Sequence, residues 1–176
     1  MHSKQEIISA FRNTSSALHD YIKTQSTDLF EISPGNKWSA GQHLDHMIRS
    51  VKPLNLAYRL PSFVLRIAFG KPNRQTRNYE ALVERYKTKL SKGAVATGAF
   101  VPPLVKLSGK TKLLNEFTRQ NNKLCNVLQK YNEANLDRYL LPHPLLGKIT
   151  LREMMFFTVY HNEHHLQILK DRNNNV

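Results

Sequence analysis

The stretch MMFFTVYHNEHHL, residues 154–166, is the most informative part of this chain. Apolar side chains return at helical intervals along it, and His161 and His165 lie four residues apart. In an α-helix of about 3.6 residues per turn, this spacing places both imidazoles on one face, one turn apart. Two side chains of one helix can share a metal ion at this distance. The stretch therefore predicts a long helix that carries two ligands of a metal centre.

A third ligand has to come from elsewhere in the chain, and His46 is the candidate. Apolar residues at three- and four-residue steps predict a helix over residues 39–57. His46 lies beside the apolar stripe of this helix, on the same strip as Gln42. We therefore predict a metal centre of His46, His161 and His165, and we assign no catalytic residue beyond it.

Spacing alone leaves two other histidine pairings open. His161 can pair with His164 on the last helix, and His43 can pair with His46 on the second. Because each residue of a helix advances by about 100°, His164 points away from His165, and we place it outside the centre. No comparable phase argument includes His43, and we place it outside as well.

Helical periodicity covers most of the chain, and no strand-like alternation is strong enough to build a sheet. The predicted long helices cover residues 3–25, 39–57, 113–131 and 151–169. Two shorter helices are predicted between the second and the third, over residues 62–69 and 79–90. Four long helices with one helical insertion predict an all-α four-helix bundle that forms a single domain over residues 1–176.

Capping residues and helix breakers set the predicted boundaries. Ser39–Gln42 and Thr150–Glu153 both have the pattern of a capping box at a helix start. Residues 33–36 break the first helical region, and residues 91–108 contain the glycines and prolines of a long connection over the bundle surface. We expect the tail, residues 171–176, to fray.

The charge of the chain is its one unusual bulk property. The 176 residues include 26 Lys and Arg against 13 Asp and Glu, a formal net charge of +13, which attracts nucleic acid, anionic lipid or acidic small molecules. Positive residues are densest over residues 59–112, but the chain has no recognisable nucleic-acid motif, so we do not favour a nucleic-acid partner. The apolar segment 62–71, flanked by cations, is the best membrane-surface candidate. We prefer to interpret it as a cap over the bundle or a homodimer contact.

The cellular compartment is predicted from the lack of a transmembrane or signal-peptide segment in the sequence. No apolar run reaches the roughly 18–20 residues of a transmembrane helix, and the first residues do not lead into a signal-peptide core. The lone cysteine, Cys125, falls on an apolar helical face and fits a reducing compartment. We expect a soluble cytoplasmic protein.

Three stretches of the chain resemble signatures of the DinB-like superfamily. Residues 38–47, WSAGQHLDHM, look like the W-S-x-x-x-x-L-x-H pattern at the start of that family's second helix. Residues 161–168, HNEHHLQI, resemble its closing H-x-x-x-H-x-x-Q-I pattern. Between them, residues 143–151, HPLLGKITL, resemble the HP-x-x-G-x-(I/L)-T-L pattern that leads into the last helix. The resemblance spans roughly residues 7–169, in the family's order.

The resemblance implies a fold and a chemistry. The fold is an up-down-down-up four-helix bundle that holds a divalent metal, often zinc or nickel, on three histidines, which by matching position are His46, His161 and His165. Relatives include transferases that join a low-molecular-weight thiol such as bacillithiol or mycothiol to an electrophile, mycothiol-dependent isomerases, and members described as metal-dependent hydrolases. The family name refers to damage induction, which suggests a stress response.

We therefore expect a metal-dependent enzyme that transfers such a thiol to an electrophilic small molecule. Metal-dependent hydrolysis is one alternative. A second alternative is a bundle without catalysis that binds nucleic acid or an anionic surface.

Gln42 and Asn121 are the candidate pocket residues. Gln42 lies one helical turn before His46, where it would hold a ligand histidine in place or contact the substrate. Asn121 interrupts the apolar stripe of the third long helix, so it either lines the cavity or is a satisfied core amide. Glu163 points about 200° away from the His161 face and is left out as a general base. Trp38 is interpreted as a structural residue at the helix start, with the pocket wall as its alternative.

Overall fold

Helices make up most of the computed structural model, which describes residues 3–32, 35 and 37–173 of the chain. They are, in chain order, α1 (Lys4–Thr24), α2 (Thr27–Glu31), α3 (Ala40–Ala57), α4 (Ser62–Phe69), α5 (Tyr79–Ser91), α6 (Lys110–Gln129) and α7 (Leu151–Asn173). The four long helices, α1, α3, α6 and α7, form the bundle, and α4 and α5 form the predicted insertion between the second and third of them. None of the described helices is long and apolar enough to cross a membrane.

Two contacts within each pair of neighbouring helices establish the directions of the long helices. The contacts are Lys4–Gln129 and Lys110–Gln25 between α1 and α6, Lys52–Glu116 and Asn55–Gln120 between α3 and α6, and Ser15–Asn162 and Tyr21–Leu169 between α1 and α7. Helix α6 is therefore antiparallel to α1 and parallel to α3, whereas α7 is parallel to α1. This is the up-down-down-up topology, so the predicted fold class is confirmed.

Buried apolar side chains divide the core into two clusters along the length of the bundle. One cluster joins the first half of α1 to the first half of α7 and to α5, with Phe11, Met155 and Leu82 among its members. The other lies around Phe30 and Met47, where the second half of α1 meets the first halves of α3 and α6. Because α3 and α7 run in opposite directions, the first half of α3 lies beside the second half of α7. This arrangement places the two histidine-bearing segments at the same end of the bundle.

Both predicted capping boxes are present. At the start of α3, the Gln42 amide donates to Ser39 Oγ over 3.2 Å, and the Ser39 amide donates to Gln42 Oε1 over 3.0 Å. At the start of α7, the Glu153 amide donates to Thr150 Oγ1 over 3.2 Å, and the Thr150 amide donates to Glu153 Oε2 over 3.0 Å. Each box satisfies two backbone donors that a helix start leaves without a partner.

The prediction of no sheet is wrong for the segment before α7. Strands β1 (Leu140–His143) and β2 (Gly147–Thr150) pair antiparallel, with His143 opposite Gly147. The loop between them has three residues, 144–146, and β2 begins at Gly147, whose φ of +74° suits a glycine in a short hairpin. Each strand has only four residues, too few to show alternation, and Pro142 is tolerated because both strands are sheet edges.

Other differences from the predicted elements are small. Helix α2 and three 3₁₀ turns, Gly98–Phe100, Leu107–Gly109 and Glu133–Asp137, lie outside the predicted helices. Helix α7 continues to Asn173, past the start of the predicted frayed tail, and residues 174–176 of that tail lie outside the described residues. The predicted break at residues 33–36 also lies outside them, except for residue 35.

A buried carboxylate anchors the insertion to α7. The Glu153 side chain is fully buried, and Arg74 donates to its two oxygens over 2.6 and 2.7 Å. The Arg77 amide donates to the same carboxylate over 2.8 Å. Burial acts to raise the pKa of Glu153, but the hydrogen bonds from Arg74 and from the backbone outweigh it, so the pKa is lowered. The segment that leads into α5 is therefore held against the start of α7.

Gly41 provides a test of how closely α3 packs against α2. A Cβ atom at Gly41 would lie 2.9 Å from the Phe30 carbonyl oxygen and 3.0 Å from its ring, so one of the two elements must shift. We expect Gly41→Ala to lower the free energy of unfolding by about 1–3 kcal/mol, the usual cost of overpacking. Urea denaturation monitored by circular dichroism would measure this.

Gly109→Ala is the matched control for that measurement. Gly109 precedes α6 with a φ of −88°, and nothing lies within 4 Å of the position its Cβ would take. Its free energy of unfolding should change by less than about 0.5 kcal/mol. Equal effects of the two substitutions would contradict the close approach of Gly41 to Phe30.

Candidate metal centre

Three histidine side chains from two helices meet at one point inside the bundle. His161 Nε2 lies 3.2 Å from His46 Nε2 and 2.9 Å from His165 Nε2. Helix α3 supplies His46, and α7 supplies the other two, one turn apart. All three side chains are buried. Among the described residues, they form a group of metal-ligating side chains whose ligand atoms all lie within 4.8 Å of one another.

The separations of these nitrogens fit a shared cation. Zinc binds histidine nitrogen at about 2.0–2.1 Å, so two nitrogens on one ion lie about 2.9–3.4 Å apart for angles between about 90° and 109°. The observed 2.9 and 3.2 Å lie in that range. Converging lone pairs repel one another, and a divalent cation between them removes the repulsion.

The other ring nitrogen of His46 determines its tautomer. His46 Nδ1 lies 2.7 Å from the carbonyl oxygen of Phe100. A carbonyl oxygen can only accept, so Nδ1 carries the proton and Nε2 of this neutral ring presents a lone pair to the cluster. A backbone carbonyl on the far nitrogen is a common outer partner of metal-binding histidines. Phe100 belongs to the long connection after α5, so that connection contributes to the site.

Sequence reasoning missed the contact between His43 and the cluster. His43 Nδ1 lies 2.7 Å from His165 Nδ1, and both side chains are buried. His43 was predicted to lie outside the metal centre, and its nitrogens are indeed not part of the three-histidine group, but it contacts that group through His165. His43 lies on α3 three residues before His46, and this helical spacing was the signal that could have found it. His164 is also outside the group, with its ring centroid 5.3 Å from that of His165.

Burial keeps the clustered imidazoles neutral. It lowers the pKa of His161 and of His165 well below the ordinary histidine value, and the neighbouring histidines lower both further. Burial also lowers the pKa of His46, against the opposing effect of the Phe100 carbonyl. For His43, burial lowers the pKa to about 3. Neutral imidazole is the form that binds a metal ion.

The histidine cluster opens onto a cavity of about 810 Å³. The cavity wall is mostly apolar and includes Leu54, Leu90, Val95, Phe100, Leu145 and Phe157. Trp38 belongs to the wall, stacked on His165 with an interplanar angle of 10° and a centroid distance of 6.4 Å. Arg172 donates to the Trp38 carbonyl over 2.8 Å and also lines the cavity, as does Lys37. Trp38 is therefore part of the pocket wall, which was the alternative interpretation of this residue from the sequence.

His143, in the hairpin before α7, is a further cavity residue that sequence reasoning did not assign to the site. The amides of Leu145 and Leu146 donate to His143 Nδ1 over 3.1 and 3.2 Å. Nδ1 is thus an acceptor, and Nε2 carries the proton of the neutral ring. Burial lowers the pKa of His143 to about 4, so the ring is neutral near pH 7. The wall of the cavity therefore includes a neutral N–H donor. The His-Pro motif at residues 143–144 was the sequence signal that could have identified this cavity residue.

The family of this chain is decided by a comparison with protein-family models. Residues 5–169 match the model of the DinB superfamily. The chain belongs to the DinB superfamily. The resemblance of the three sequence signatures is thereby confirmed. No curated protein matches the chain.

Two solved structures share the fold of this DinB-superfamily chain. One is YfiT from Bacillus subtilis, described as a probable metal-dependent hydrolase with an unusual four-helix bundle topology, with a TM-score of 0.61 and 14% identity over 97% of this chain and 87% of YfiT. The other is the colibactin self-resistance protein ClbS in complex with a dsDNA, with a TM-score of 0.57 and 15% identity over 97% of this chain and 95% of ClbS. At these identities the likeness shows the fold.

The two candidate pocket residues lie away from the cavity of this DinB-superfamily member. The Gln42 side chain closes the capping box with Ser39 and is not part of the cavity wall. Asn121 is buried in α6, also outside the wall. Neither amide atom of Asn121 has a hydrogen-bond partner among the described residues, so it is not a satisfied core amide. Gln42 was misplaced because its helical phase, one turn from His46, does not reveal that the cap already engages its side chain.

The position of Asn121 leads to a stability prediction. Because its buried amide forms no hydrogen bond with the described part of the chain, replacing it with an apolar side chain of similar size removes a desolvation cost. We expect Asn121→Leu to raise the free energy of unfolding by about 1 kcal/mol. Thermal and urea unfolding would measure the change.

Asn55→Leu is the control, because Asn55 Nδ2 donates to the Gln120 carbonyl and to Gln120 Oε1 over 3.0 and 2.7 Å. Loss of these bonds should lower the free energy of unfolding by about 1–3 kcal/mol. A comparable loss for Asn121→Leu would show that the Asn121 amide is hydrogen-bonded after all.

Proposed function

We propose that this chain is a divalent-metal-dependent enzyme that transfers a low-molecular-weight thiol, such as bacillithiol, to an electrophilic small molecule. The observation that carries the proposal is the convergence of three neutral imidazole nitrogens at the wall of an open, mostly apolar cavity. Three protein ligands with one side left open are typical of catalytic rather than structural zinc sites.

His46, His161 and His165 would hold the ion. Imidazole nitrogen suits zinc, copper, iron and nickel, and zinc and nickel are the metals that the family resemblance implies. A divalent cation held at this point lowers the pKa of a thiol that reaches it and so supplies a thiolate near neutral pH.

The cavity wall favours a thiol over water as the nucleophile. Asp171 is the one carboxylate among the described residues of the wall, and its Oδ1 accepts a hydrogen bond from Gln167 over 2.6 Å. Glu163 accepts a hydrogen bond from the Tyr79 hydroxyl outside the cavity. Activation of water usually uses a nearby general base. A thiol ionises far more readily than water and depends less on such a base.

The transfer is a substitution at carbon. The thiol proton leaves to solvent through the mouth of the cavity, and the sulfur electron pair forms a C–S bond to the electrophile. The bond from that carbon to its leaving group breaks, and the leaving group takes the electron pair. The apolar wall holds the body of the electrophile and excludes water, and the His143 Nε2–H can donate to negative charge that develops on the leaving group.

Positive side chains at the cavity favour an anionic thiol. Lys37 and Arg172 both belong to the cavity wall. A carboxylate-bearing thiol would be attracted by them, whereas the apolar part of the cavity wall suits an uncharged electrophile.

Metal content tests the centre directly. We expect the purified protein to retain about one zinc or nickel ion per chain, because three buried imidazoles converge on one point. His46→Ala and His161→Ala should each weaken metal binding by more than the roughly 10–100-fold that lost outer partners cost. His19→Ala, which removes a histidine bonded to Asp20 outside the cluster, is the matched control. Elemental analysis after dialysis is the measurement, and equal metal content in all four proteins would remove the cluster from consideration as a metal site.

Thiol transfer is tested with bacillithiol as the thiol and monobromobimane as the electrophile. The fluorescence of the bimane thioether measures the rate of its formation. The protein should accelerate thioether formation, and a chelator or His161→Ala should abolish the acceleration. A rate that His161→Ala leaves unchanged would contradict transfer at this centre.

Metal-dependent hydrolysis is the second candidate, because the similar structure YfiT is described as a probable metal-dependent hydrolase. If hydrolysis is the activity, the unaltered protein should release nitrophenol from a nitrophenyl ester in the absence of any thiol. Chelator-sensitive ester hydrolysis with no thioether formation would favour this candidate over thiol transfer.

Nucleic-acid binding is a weaker candidate that rests on the net charge of +13 and on the similar structure ClbS, which is in complex with dsDNA. Binding driven by this charge would weaken steeply between about 50 and 200 mM salt. It would also be unaffected by a chelator, unlike thiol transfer.

We also propose that residues 1–176 act as a single cytoplasmic domain. The family match extends over residues 5–169, and Cys125 is a buried free thiol. Both observations fit one intracellular domain. A homodimer contact through α4 fits the exposure of Phe63 and Ile67, which are 63% and 81% exposed.

A further inference from the structure

We infer that His43, outside the three-ligand set, is the positioning residue that sets the tautomer and the ring orientation of His165 for metal binding. The inference rests on the proposed metal centre. It assigns to His43 the role that the Phe100 carbonyl has for His46.

The contact between the His43 and His165 rings is short and buried. His43 Nδ1 and His165 Nδ1 are 2.7 Å apart, and the two residues are 5% and 6% exposed. On the far side of the same ring, His165 Nε2 lies 2.9 Å from His161 Nε2. His165 thus uses one nitrogen toward His43 and the other toward the cluster.

Proton placement links these two contacts. A hydrogen bond between two neutral imidazole nitrogens needs one N–H and one lone pair. If His43 donated, His165 would carry its proton on Nε2, where it would block a cation. If His43 accepts, the proton of His165 lies on Nδ1 and its Nε2 lone pair faces the cluster. Metal binding therefore requires His43 to be the acceptor, with its own proton on Nε2.

The surrounding rings hold His43 and His165 in this arrangement. The two ring centroids are 4.9 Å apart at an interplanar angle of 64°, so the nitrogens meet without stacking. Trp38 stacks on His165 at 10° and meets His43 edge-on at 71°. The aromatic ring of Trp38 thus restricts both imidazoles from one side.

The geometry separates His43 from the ligands themselves. Its Nδ1 is engaged by His165 and is not among the ligand atoms that lie together in the three-histidine group. Helix α3 therefore provides one ligand of its own, His46, and an outer partner for a ligand on α7. Outer partners of this kind orient a ligand ring and raise its basicity.

Two substitutions separate the acceptor role of His43 from its bulk. Asn places a side-chain oxygen close to the position of Nδ1 and can accept from His165, whereas Leu fills the space without an acceptor. We expect His43→Leu to weaken zinc binding by roughly 10–100-fold and His43→Asn by no more than a few-fold. His164→Leu, beside His165 but without a hydrogen bond to it, should leave the affinity unchanged. Competition of the full-length protein with a chromophoric zinc chelator measures all four affinities, and circular dichroism checks that each variant is folded.

A measurement on the unaltered protein keeps the inference testable if His43→Leu does not fold. Long-range nitrogen–proton NMR correlation of the zinc-loaded protein should place the proton of His43 on Nε2 and that of His165 on Nδ1. A proton on His43 Nδ1 would overturn the inference, as would a His43→Leu variant that binds zinc as tightly as the unaltered protein. If the unaltered protein bound no zinc, the proposed function and this inference would both fail. If the unaltered protein and His43→Leu bound zinc equally tightly, only this inference would fail, so the two failures are distinguishable.

Discussion

The meeting of three imidazoles between α3 and α7 is the constraint on which the rest of the site depends. Burying three polar rings with their nitrogens 2.9 and 3.2 Å apart is unfavourable unless each ring is oriented and something holds the lone pairs together. The antiparallel arrangement of α3 and α7 brings the rings to the same level of the bundle. Without it, the two histidines on α7 would be an ordinary pair on a helix surface.

Outer contacts of the ligand rings come from different parts of the chain. The Phe100 carbonyl, from the connection after α5, engages His46, and His43 engages His165. The connection that supplies Phe100 also provides part of the cavity wall. The residues between the second and third long helices therefore belong to the site as well as to the surface. Their position depends in turn on Glu153, whose buried carboxylate ties the segment before α5 to α7.

The chemistry of the cavity follows from the contrast between its few polar groups and its mostly apolar wall. Polar groups concentrate at the histidine cluster, at the His143 N–H and near Lys37 and Arg172. The remaining surface is suited to an apolar molecule, and a low dielectric around the cluster strengthens every electrostatic interaction there. In the proposed thiol transfer, such a centre would stabilise the charge that develops on the leaving group of an uncharged electrophile.

Local patterns in the sequence were sufficient for much of the fold and for part of the site. The bounds of α1, α3 and α5, the start of α7, both capping boxes and the pairing of His161 with His165 depend on neighbours within about one helical turn, so they can be read from the chain itself. The hairpin before α7 escaped because its strands of four residues are stabilised by pairing with each other and by packing, not by a periodic pattern. The choice of His46 was an inference from helical phase and family resemblance.

What the tertiary structure alone decided are the contacts between residues far apart in sequence. The side chain of Gln42 belongs to a helix cap, Asn121 lies in the core with no hydrogen-bond partner among the described residues, and His43 lies against His165 across 122 positions of the chain. Helical phase gives the direction of a side chain around its own axis, but it does not give the rotation and height of one helix against another. Those two quantities are set by the packing of the whole bundle, and they determine which polar groups share the cavity.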